Sequence, residues 1–334
     1  MAKPLRGRRE ASHAGSWYVG NPDRLSAELD EFLERVPNTV DGVDVPISGA
    51  RVIIAPHAGY RYSGPCAAWA YKCLDLSKAK RVFVLGPSHT YGLSGCALTT
   101  YAEFETPCGN LTVDQATLDD LRATGLFSDQ PRGKDVSEHS IEMHLPYLVK
   151  RLQQTFGDDD GGGKWPTVVP VLVGSNNARA EKKYGDVLVP YLKDPENAFI
   201  ISSDFCHWGD NFGYFAYYAN RGGKEELSFH ADHQHKVDGD GPISKSIDKL
   251  DGLAIAAVET GVHDKFVGNL AETKNTVCGR HPIGVMMAAL EALRNEGVLE
   301  DGKGKFKKVQ YARSTELVDA GGSSVSYVSF YAVL

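Results

Sequence analysis

The chain has 334 residues, 42% apolar, 10% aromatic and 24% charged, with 35 Gly and 16 Pro, which excludes a disordered or fibrous chain and suits a globular fold. Thirty-six Lys and Arg against 43 Asp and Glu leave a formal charge of −7, so with no basic block to offset it no nucleic-acid partner is expected. The longest apolar stretch, near residues 283–290, falls far short of the roughly 18 consecutive apolar residues of a membrane helix, so a soluble chain with no membrane insertion is expected.

In chain order, the basic start (Lys3, Arg6, Arg8, Arg9) has no apolar run behind it. It reads as an N-terminal extension over residues 1–9 and not as a secretory signal, ahead of one domain over 10–334. Strand-like β-branched runs then alternate with helical patterns: strand 51–55, helix 66–74, strand 81–86, helices 114–124 and 138–156, strand 167–174, helix 178–192, strand 198–203. Residues 158–163 and 220–242 are polar and Gly/Asp-rich and read as surface insertions. Helical patterns at 243–258, 263–272 and 282–295 precede two terminal strands, 305–313 and 323–333, expected to lie antiparallel on the sheet. The alternation predicts a single α/β domain with a mostly parallel central sheet covered by helices. The runs at 52–55, 82–85 and 168–173 lack a polar alternate, as strands buried on both faces do, and are the expected central strands. Six cysteines (Cys66, Cys73, Cys96, Cys108, Cys206, Cys278) without C-x-x-C spacing fit a reducing cytoplasm.

Ligands of α/β sheets bind beyond the carboxyl ends of the strands. Three strand ends here each deliver a histidine: Ala55-Pro56-His57-Ala58-Gly59-Tyr60, Gly86-Pro87-Ser88-His89, and Ser202-Ser203-Asp204-Phe205-Cys206-His207-Trp208. Any one imidazole can be an inert backbone partner, but three converging ones point to a metal, since two histidines and one anionic group make a common open redox-metal site. The third ligand is to be sought among Asp204, Glu142 and Cys278. Cys278 is preferred because a helix expected to open at Pro282, with Arg280 and His281 nearby, should lower the thiol pKa; against it, free cysteine is often simply buried.

Glu138-His139-Ser140-Ile141-Glu142-Met143-His144 is not H-E-x-x-H, since His139 and His144 are five apart. On a helix His139 and Glu142 would share a face and could serve as proton carrier and as a carboxylate behind a ligand, or merely cap the helix. Asp204 and His207 can both face the cleft only if the strand has ended, so a turn is expected there. His230, His233 and His235 read as part of a solvated loop. Trp17 and Tyr18 read first as core aromatics and only second as a rim on the cleft. No nucleotide-binding or serine-hydrolase motif occurs.

Taken together, Ala11-Ser12-His13-Ala14-Gly15-Ser16-Trp17-Tyr18, Ile54-Ala55-Pro56-His57-Ala58-Gly59-Tyr60, Leu85-Gly86-Pro87-Ser88-His89, residues 138–147, Pro170-Val171-Leu172-Val173-Gly174, residues 202–209, Cys278-Gly279-Arg280-His281-Pro282-Ile283-Gly284 and Ser323-Ser324-Val325-Ser326-Tyr327 resemble the Memo family, named for mediator of ErbB-driven cell motility. The resemblance implies a fold similar to the class III extradiol dioxygenases, non-haem iron enzymes that hold their metal with two histidines and a glutamate. By position His57 and His89 match the histidines, Cys278 stands where a carboxylate is expected, and Asp204 and His207 match pocket residues suited to proton transfer. A sulfur ligand softens the site, suits copper as well as Fe(II), and argues against ordinary ring cleavage. The resemblance further implies iron- or copper-dependent redox activity or metal homeostasis in the cytoplasm, with the nucleus as a second location. It also implies an alternative, phosphotyrosine-peptide binding in signalling and cell motility through the same cleft, with Trp17 at its rim and Arg280 and His281 as anion contacts. A scaffold without catalysis is the third reading.

Overall fold

A computed structural model describes residues 4–159, 163–221, 224–230, 242–319 and 321–334. β1 (Arg8–Arg9) leads to α1 (Pro22–Glu34), which starts where the Asn21 side chain accepts the Arg24 N–H and Pro22 fills a position needing no donor. The small hairpin β2 (Thr39–Val40) and β3 (Val43–Asp44) precedes β4 (Val52–Ala55), α2 (Tyr60–Cys73) and β5 (Arg81–Pro87). Next come β6 (Cys96–Leu98), β7 (Glu103–Phe104), β8 (Leu111–Thr112), α3 (Gln115–Ala123), β9 (Phe127–Asp129) and the short α4 (Arg132–Ser137). A 3-10 turn, Glu142–His144, opens α5 (Leu145–Phe156), followed by β10 (Thr167–Val173), α6 (Ala178–Lys193) and β11 (Asn197–Ser202). β12 (His207–Gly209), the hairpin β13 (Phe215–Arg221) and β14 (Lys224–His230), and α7 (Ile243–Glu259) come after it. α8 (His263–Thr273), α9 (Arg280–Asn295), β15 (Lys307–Arg313) and β16 (Ser323–Ala332) complete the described elements.

The large sheet orders its strands β12-β16-β4-β11-β5-β10-β6-β9, with β15 also paired to β16. Its middle, β4-β11-β5-β10, is parallel, and every residue of β4 and β11 is buried, as the unbroken apolar runs require. β16 lies antiparallel to β4, β12 and β15. The fold is thus a single-domain, mixed α/β structure with a mostly parallel central sheet and antiparallel C-terminal strands. Ser202 pairs with Ala55, and Ile201 with Leu85, so three central strands finish at one level and release their next residues at one edge. None of the described helices is long and apolar enough to cross a membrane.

Several expectations are corrected. Residues 138–141 are not helical; the 3-10 turn begins only at Glu142, because the Glu138 carboxylate takes the backbone N–H of Ser140, His89 and Thr90 and fixes a turn in competition with helix. α9 starts at Arg280, two residues before Pro282. The basic start expected as an extension is, at Arg8–Arg9, a strand parallel to β7, and the Arg9 side chain is buried. Within the polar run over 220–242, read as a surface insertion, residues 224–230 form the whole of β14, the second strand of the β13–β14 hairpin, so that the histidine run expected as a solvated loop begins in a strand at His230. β13 packs with Trp208, Ile243, Ile247 and Leu250 in a small second core, and the His230 ring stacks on Tyr217 with centroids 4.7 Å apart. His233 and His235 lie outside the described residues, as do residues 160–162 of the glycine-rich turn.

Candidate metal centre

His57 lies two residues past β4 and is 2% exposed. Its backbone N–H donates to Asp204 Oδ1 at 2.9 Å. Its Nδ1 lies 2.6 Å from Ser202 Oγ, whose own proton goes to the Ser140 carbonyl at 2.7 Å. Ser202 therefore accepts from Nδ1–H, which leaves the Nε2 lone pair facing the cleft. Burial, followed by the neighbouring His89 and His139, lowers the His57 pKa well below the ordinary imidazole value, so the ring is neutral. Nε2 lies 3.2 Å from Cys278 Sγ.

His89, two residues past β5, is held twice by one carboxylate: its N–H reaches Glu138 Oε2 at 2.6 Å and its Nδ1 lies 2.9 Å from Oε1. Again Nε2 is the free nitrogen. Burial pushes the Glu138 carboxyl up, but hydrogen bonds from the His89 ring and from the His89 and Ser140 N–H groups prevail and hold it at about 2. Such carboxylate–histidine pairs orient metal-ligating rings and raise their basicity.

Cys278 stands just before α9, and the next residue must be glycine: a Cβ at Gly279 would lie 2.2 Å from the Ser202 carbonyl oxygen and 2.4 Å from Ser203 Cβ. That close approach brings the thiol to β11 and hence to His57. Ligand atoms of His57, His89 and Cys278 lie within 4.8 Å of one another, as do those of Asp204, His207 and Cys278, and of His89, Glu138 and His139. The chain resumes an irregular path after Ser202, which lets both Asp204 and His207 join the cleft. His207 donates from Nδ1 to the Phe205 carbonyl at 2.8 Å, and its N–H goes to Thr276 Oγ1 at 2.7 Å.

The sequence matches the family model described as Memo-like protein over residues 9–331. It is 41% identical over 321 residues to Protein MEMO1 of Xenopus tropicalis and 39% identical over 321 residues to Protein MEMO1 of Homo sapiens, covering 96% of each chain in both comparisons. The chain belongs to the Memo family. Protein memo-1 homolog of Caenorhabditis elegans is 39% identical, covering 96% of this chain and 81% of its own.

In this Memo-family chain His57, His89, Cys278, Asp204 and His207 share one cleft, and His139 closes it, stacked on His89 with centroids 4.4 Å apart. Burial, then the neighbouring His89, lowers the His139 pKa to about 4. Trp17, expected first as core, is 38% exposed and packs on His139 at 4.4 Å, so it is the rim, whereas Tyr18 is buried. Glu142, also a candidate ligand, is turned away: its oxygens accept from Arg9 at 2.7 Å, from the His13 N–H at 2.8 Å and from Tyr18 OH at 2.9 Å. It does not share a helical face with His139. His281 points Nδ1 at Glu181 Oε1, 2.6 Å away, beside His263, which bonds the other oxygen at 2.7 Å. Arg280 is exposed and directs Nε to the His281 ring. The expected lowering of the Cys278 pKa is overturned: burial, and then the Asp204 carboxylate, push the thiol well above its ordinary value. Burial also raises Asp204, against the pull of His207.

Sequence reasoning misses Glu138 as the carboxylate behind His89, Ser202 as the group that fixes the His57 tautomer, and the buried Arg9–Glu142–His13 assembly. Glu138 sits one residue from His139, itself a candidate, so only the wrong secondary structure hides it. Nothing local marks Arg9, whose partners Asp135 and Glu142 are more than 120 residues away.

Proposed function

We propose that this Memo-family protein holds one iron or copper ion on His57, His89 and Cys278 and acts in metal-dependent redox chemistry or metal homeostasis, in the reducing cytoplasm that its free cysteines suit. One observation carries the reading: with both Nδ1 atoms committed to Ser202 and Glu138, ligand atoms of His57, His89 and Cys278 lie within 4.8 Å of one another, and Nε2 of His57 is 3.2 Å from Sγ. Neutral imidazole with thiolate is a borderline-soft donor set that fits iron and copper better than magnesium or calcium. Bound there, such an ion supplies one-electron redox chemistry and Lewis acidity.

The chain's own residues do the rest. Glu138 and Ser202 lock the two rings, so little rotamer freedom is lost when a ligand atom is engaged. The Cys278 thiol, protonated in the free chain, gives up its proton to serve as a ligand. His207, with Nδ1 donating to a carbonyl, presents Nε2 toward the buried Asp204 and Cys278. Loaded anaerobically, the wild type should bind about one ion, and His57→Ala and Cys278→Ser should lose it. Equal metal content in all three chains would end this reading, and oxygen consumption on the same preparations separates redox chemistry from storage.

A further inference from the structure

A cavity of about 530 Å³ opens where the N-terminal segment meets the β6–β7 link, the last turn of α3 and the turn between β9 and α4. Among the described residues that line it, none belongs to the histidine cleft. Backbone bonds build it: the Arg6 N–H donates to the Thr100 carbonyl at 3.1 Å, and the Gln130 N–H to the Leu98 carbonyl at 2.8 Å. The lining carries three guanidiniums, those of Arg6, Arg122 and Arg132, against one carboxylate, that of Asp129, in a chain whose formal charge is −7.

The three arginines are not equivalent. Arg122 is already neutralised, with Nε 2.9 Å from Asp129 and Nη1 3.2 Å from Asp119. Arg132 bonds only neutral acceptors: Nε donates to Thr100 Oγ1 at 3.2 Å, and Nη2 to the carbonyls of Thr100, at 3.1 Å, and Arg6. Its guanidinium lies over the Tyr101 ring, 4.4 Å from the centroid. Those contacts fix the planar fork without cancelling its charge. Arg6 is exposed, and its side chain makes no hydrogen bond or ion pair with any of the described residues. Two guanidiniums therefore stand without a countercharge. A separate observation concerns Gln130, which lines the cavity and is 4% exposed, yet whose Nε2 is buried with no hydrogen-bond partner. Buried amides nearly always have one, and an orphaned donor is costly. Nε2 only donates, so the missing partner is an acceptor; a half-turn of the terminal torsion carries that donor across the amide with no change of shape. Two uncompensated cations and a donor in want of an oxygen match an oxyanion with two charges, which a phosphate has and a carboxylate lacks.

We propose that this cavity binds the phosphate dianion of a small molecule, neutralised by Arg6 and Arg132, with Gln130 donating to one of its oxygens. Inorganic phosphate and a phosphomonoester present the same group. The volume has room for an organic body beyond the phosphate, and Pro4 and Pro131 give that body apolar walls. The site stands apart from the metal reading and needs no ion in the histidine cleft.

The test titrates the full-length chain with inorganic phosphate, glycerol 3-phosphate and acetate at constant ionic strength, by calorimetry and phosphorus NMR. At least one phosphate probe should bind tenfold or more tightly than acetate; tighter binding of glycerol 3-phosphate assigns the site to esters, and equal or weaker binding assigns it to free phosphate. Arg6→Ala should weaken phosphate binding fivefold or more and Gln130→Met threefold or more, with native circular dichroism in both. Gln130→Met should also leave the unliganded chain at least as stable as the wild type, because it removes an orphaned donor, which a merely structural amide would not do. Arg8→Ala, which takes away a nearby charge that is paired with Glu103 and does not line the cavity, should change nothing. Absence of phosphate binding, equally tight acetate, indifference to both Arg6→Ala and Gln130→Met, or an equal loss in Arg8→Ala would overturn the proposal. So would phosphate binding that Arg280→Ala removes and Arg6→Ala spares, which would move the anion to the histidine cleft. Metal content measured on the same preparations keeps the two readings apart: a chain that takes metal but not phosphate fails only here, and one that takes phosphate but not metal fails only as a metal protein.

Discussion

Glu138 and Glu142, one turn of chain apart, each grip a distant histidine by the same two bonds. Glu138 takes the N–H of His89 at 2.6 Å and lies 2.9 Å from its Nδ1; Glu142 takes the N–H of His13 at 2.8 Å and lies 2.9 Å from its Nδ1. Both histidines touch His139. The surroundings differ. Glu142 has a buried countercharge, Arg9 at 2.7 Å, and a phenol, Tyr18 at 2.9 Å, whereas Glu138 is satisfied by N–H donors of His89, Thr90 and Ser140. Burial pushes both carboxyls up; for Glu138 the His89 bond leads the opposing effects, for Glu142 the His13 bond with Arg9 behind it, and both are held at about 2. The same hydrogen-bond pattern thus serves two ends. Beside His89 it orients a ring that faces the cysteine, and beside His13 it ties the N-terminal segment to the rim of the cleft.

The largest expected effect breaks the charged half of this pair. The Arg9 guanidinium is 2% exposed and bonds both Asp135, at 2.9 Å, and Glu142, at 2.7 Å. Arg9→Met should cost about 3–5 kcal/mol in denaturant unfolding, because removing one partner leaves buried carboxylates uncompensated. A cost under about 1 kcal/mol would show that the N-terminal segment is held by packing instead.

The next effect separates orientation from anchoring. Glu138→Gln should lower metal affinity about 10–100-fold, the usual penalty for losing the carboxylate behind a ligating histidine. Glu142→Gln should leave metal affinity within about threefold and appear instead as lost stability. Equal loss of metal affinity in both variants would place His13 among the groups that matter to the ion.

Acid titration sharpens the comparison further. A carboxyl whose folded pKa is depressed contributes stability that is present above its unfolded value, about 4.3, and is lost as pH falls toward the folded value. For Glu138 and Glu142 that window runs from about 4.3 down to about 2. Urea unfolding monitored from pH 5 to pH 3 should therefore show a shallower loss of stability in Glu142→Gln than in the wild type. An unchanged slope would mean that Glu142 titrates normally in the folded chain.

The sheet is legible in the sequence because its middle strands, such as Val52–Ala55 and Thr167–Val173, are apolar without alternation, a pattern that only double burial explains. His57, His89 and His207 are legible for a topological reason: parallel strands of matched register must release their succeeding residues at one edge. The features that stay hidden depend on contacts that no local pattern encodes. The turn at residues 138–141 looks helical by apolar spacing, but the Glu138 carboxylate diverts the backbone by taking its N–H groups. The Cys278 thiol looks activated from its place before a helix, yet the burial that brings it to His57 and the nearness of Asp204 outweigh the helix terminus. Trp17 reads as core because large aromatics usually are; here its neighbour Tyr18 takes the buried place, with its hydroxyl on Glu142, and Trp17 is left on the rim.

That division of labour between neighbours gives the smallest and most selective test. Tyr18 is 4% exposed, and its hydroxyl donates to Glu142 Oε1 at 2.9 Å; with the Arg9 guanidinium and the Ser12 hydroxyl it is among the donors that Glu142 has and Glu138 lacks. Burial and the adjacent carboxylate raise the phenol pKa, so it stays a donor throughout the neutral range. Tyr18→Phe keeps the ring and its contact with Tyr60 and removes only that bond. A hydrogen bond to a charged group contributes about 1.5–3 kcal/mol, and Arg9 with the two His13 donors still satisfies the carboxylate, so the loss should fall at or below the lower end of that range. Metal affinity should not move. If Tyr18→Phe instead weakened metal binding as much as Glu138→Gln, the two carboxylates would act as one coupled device, and orientation of the histidines would depend on the N-terminal segment as much as on the strand ends.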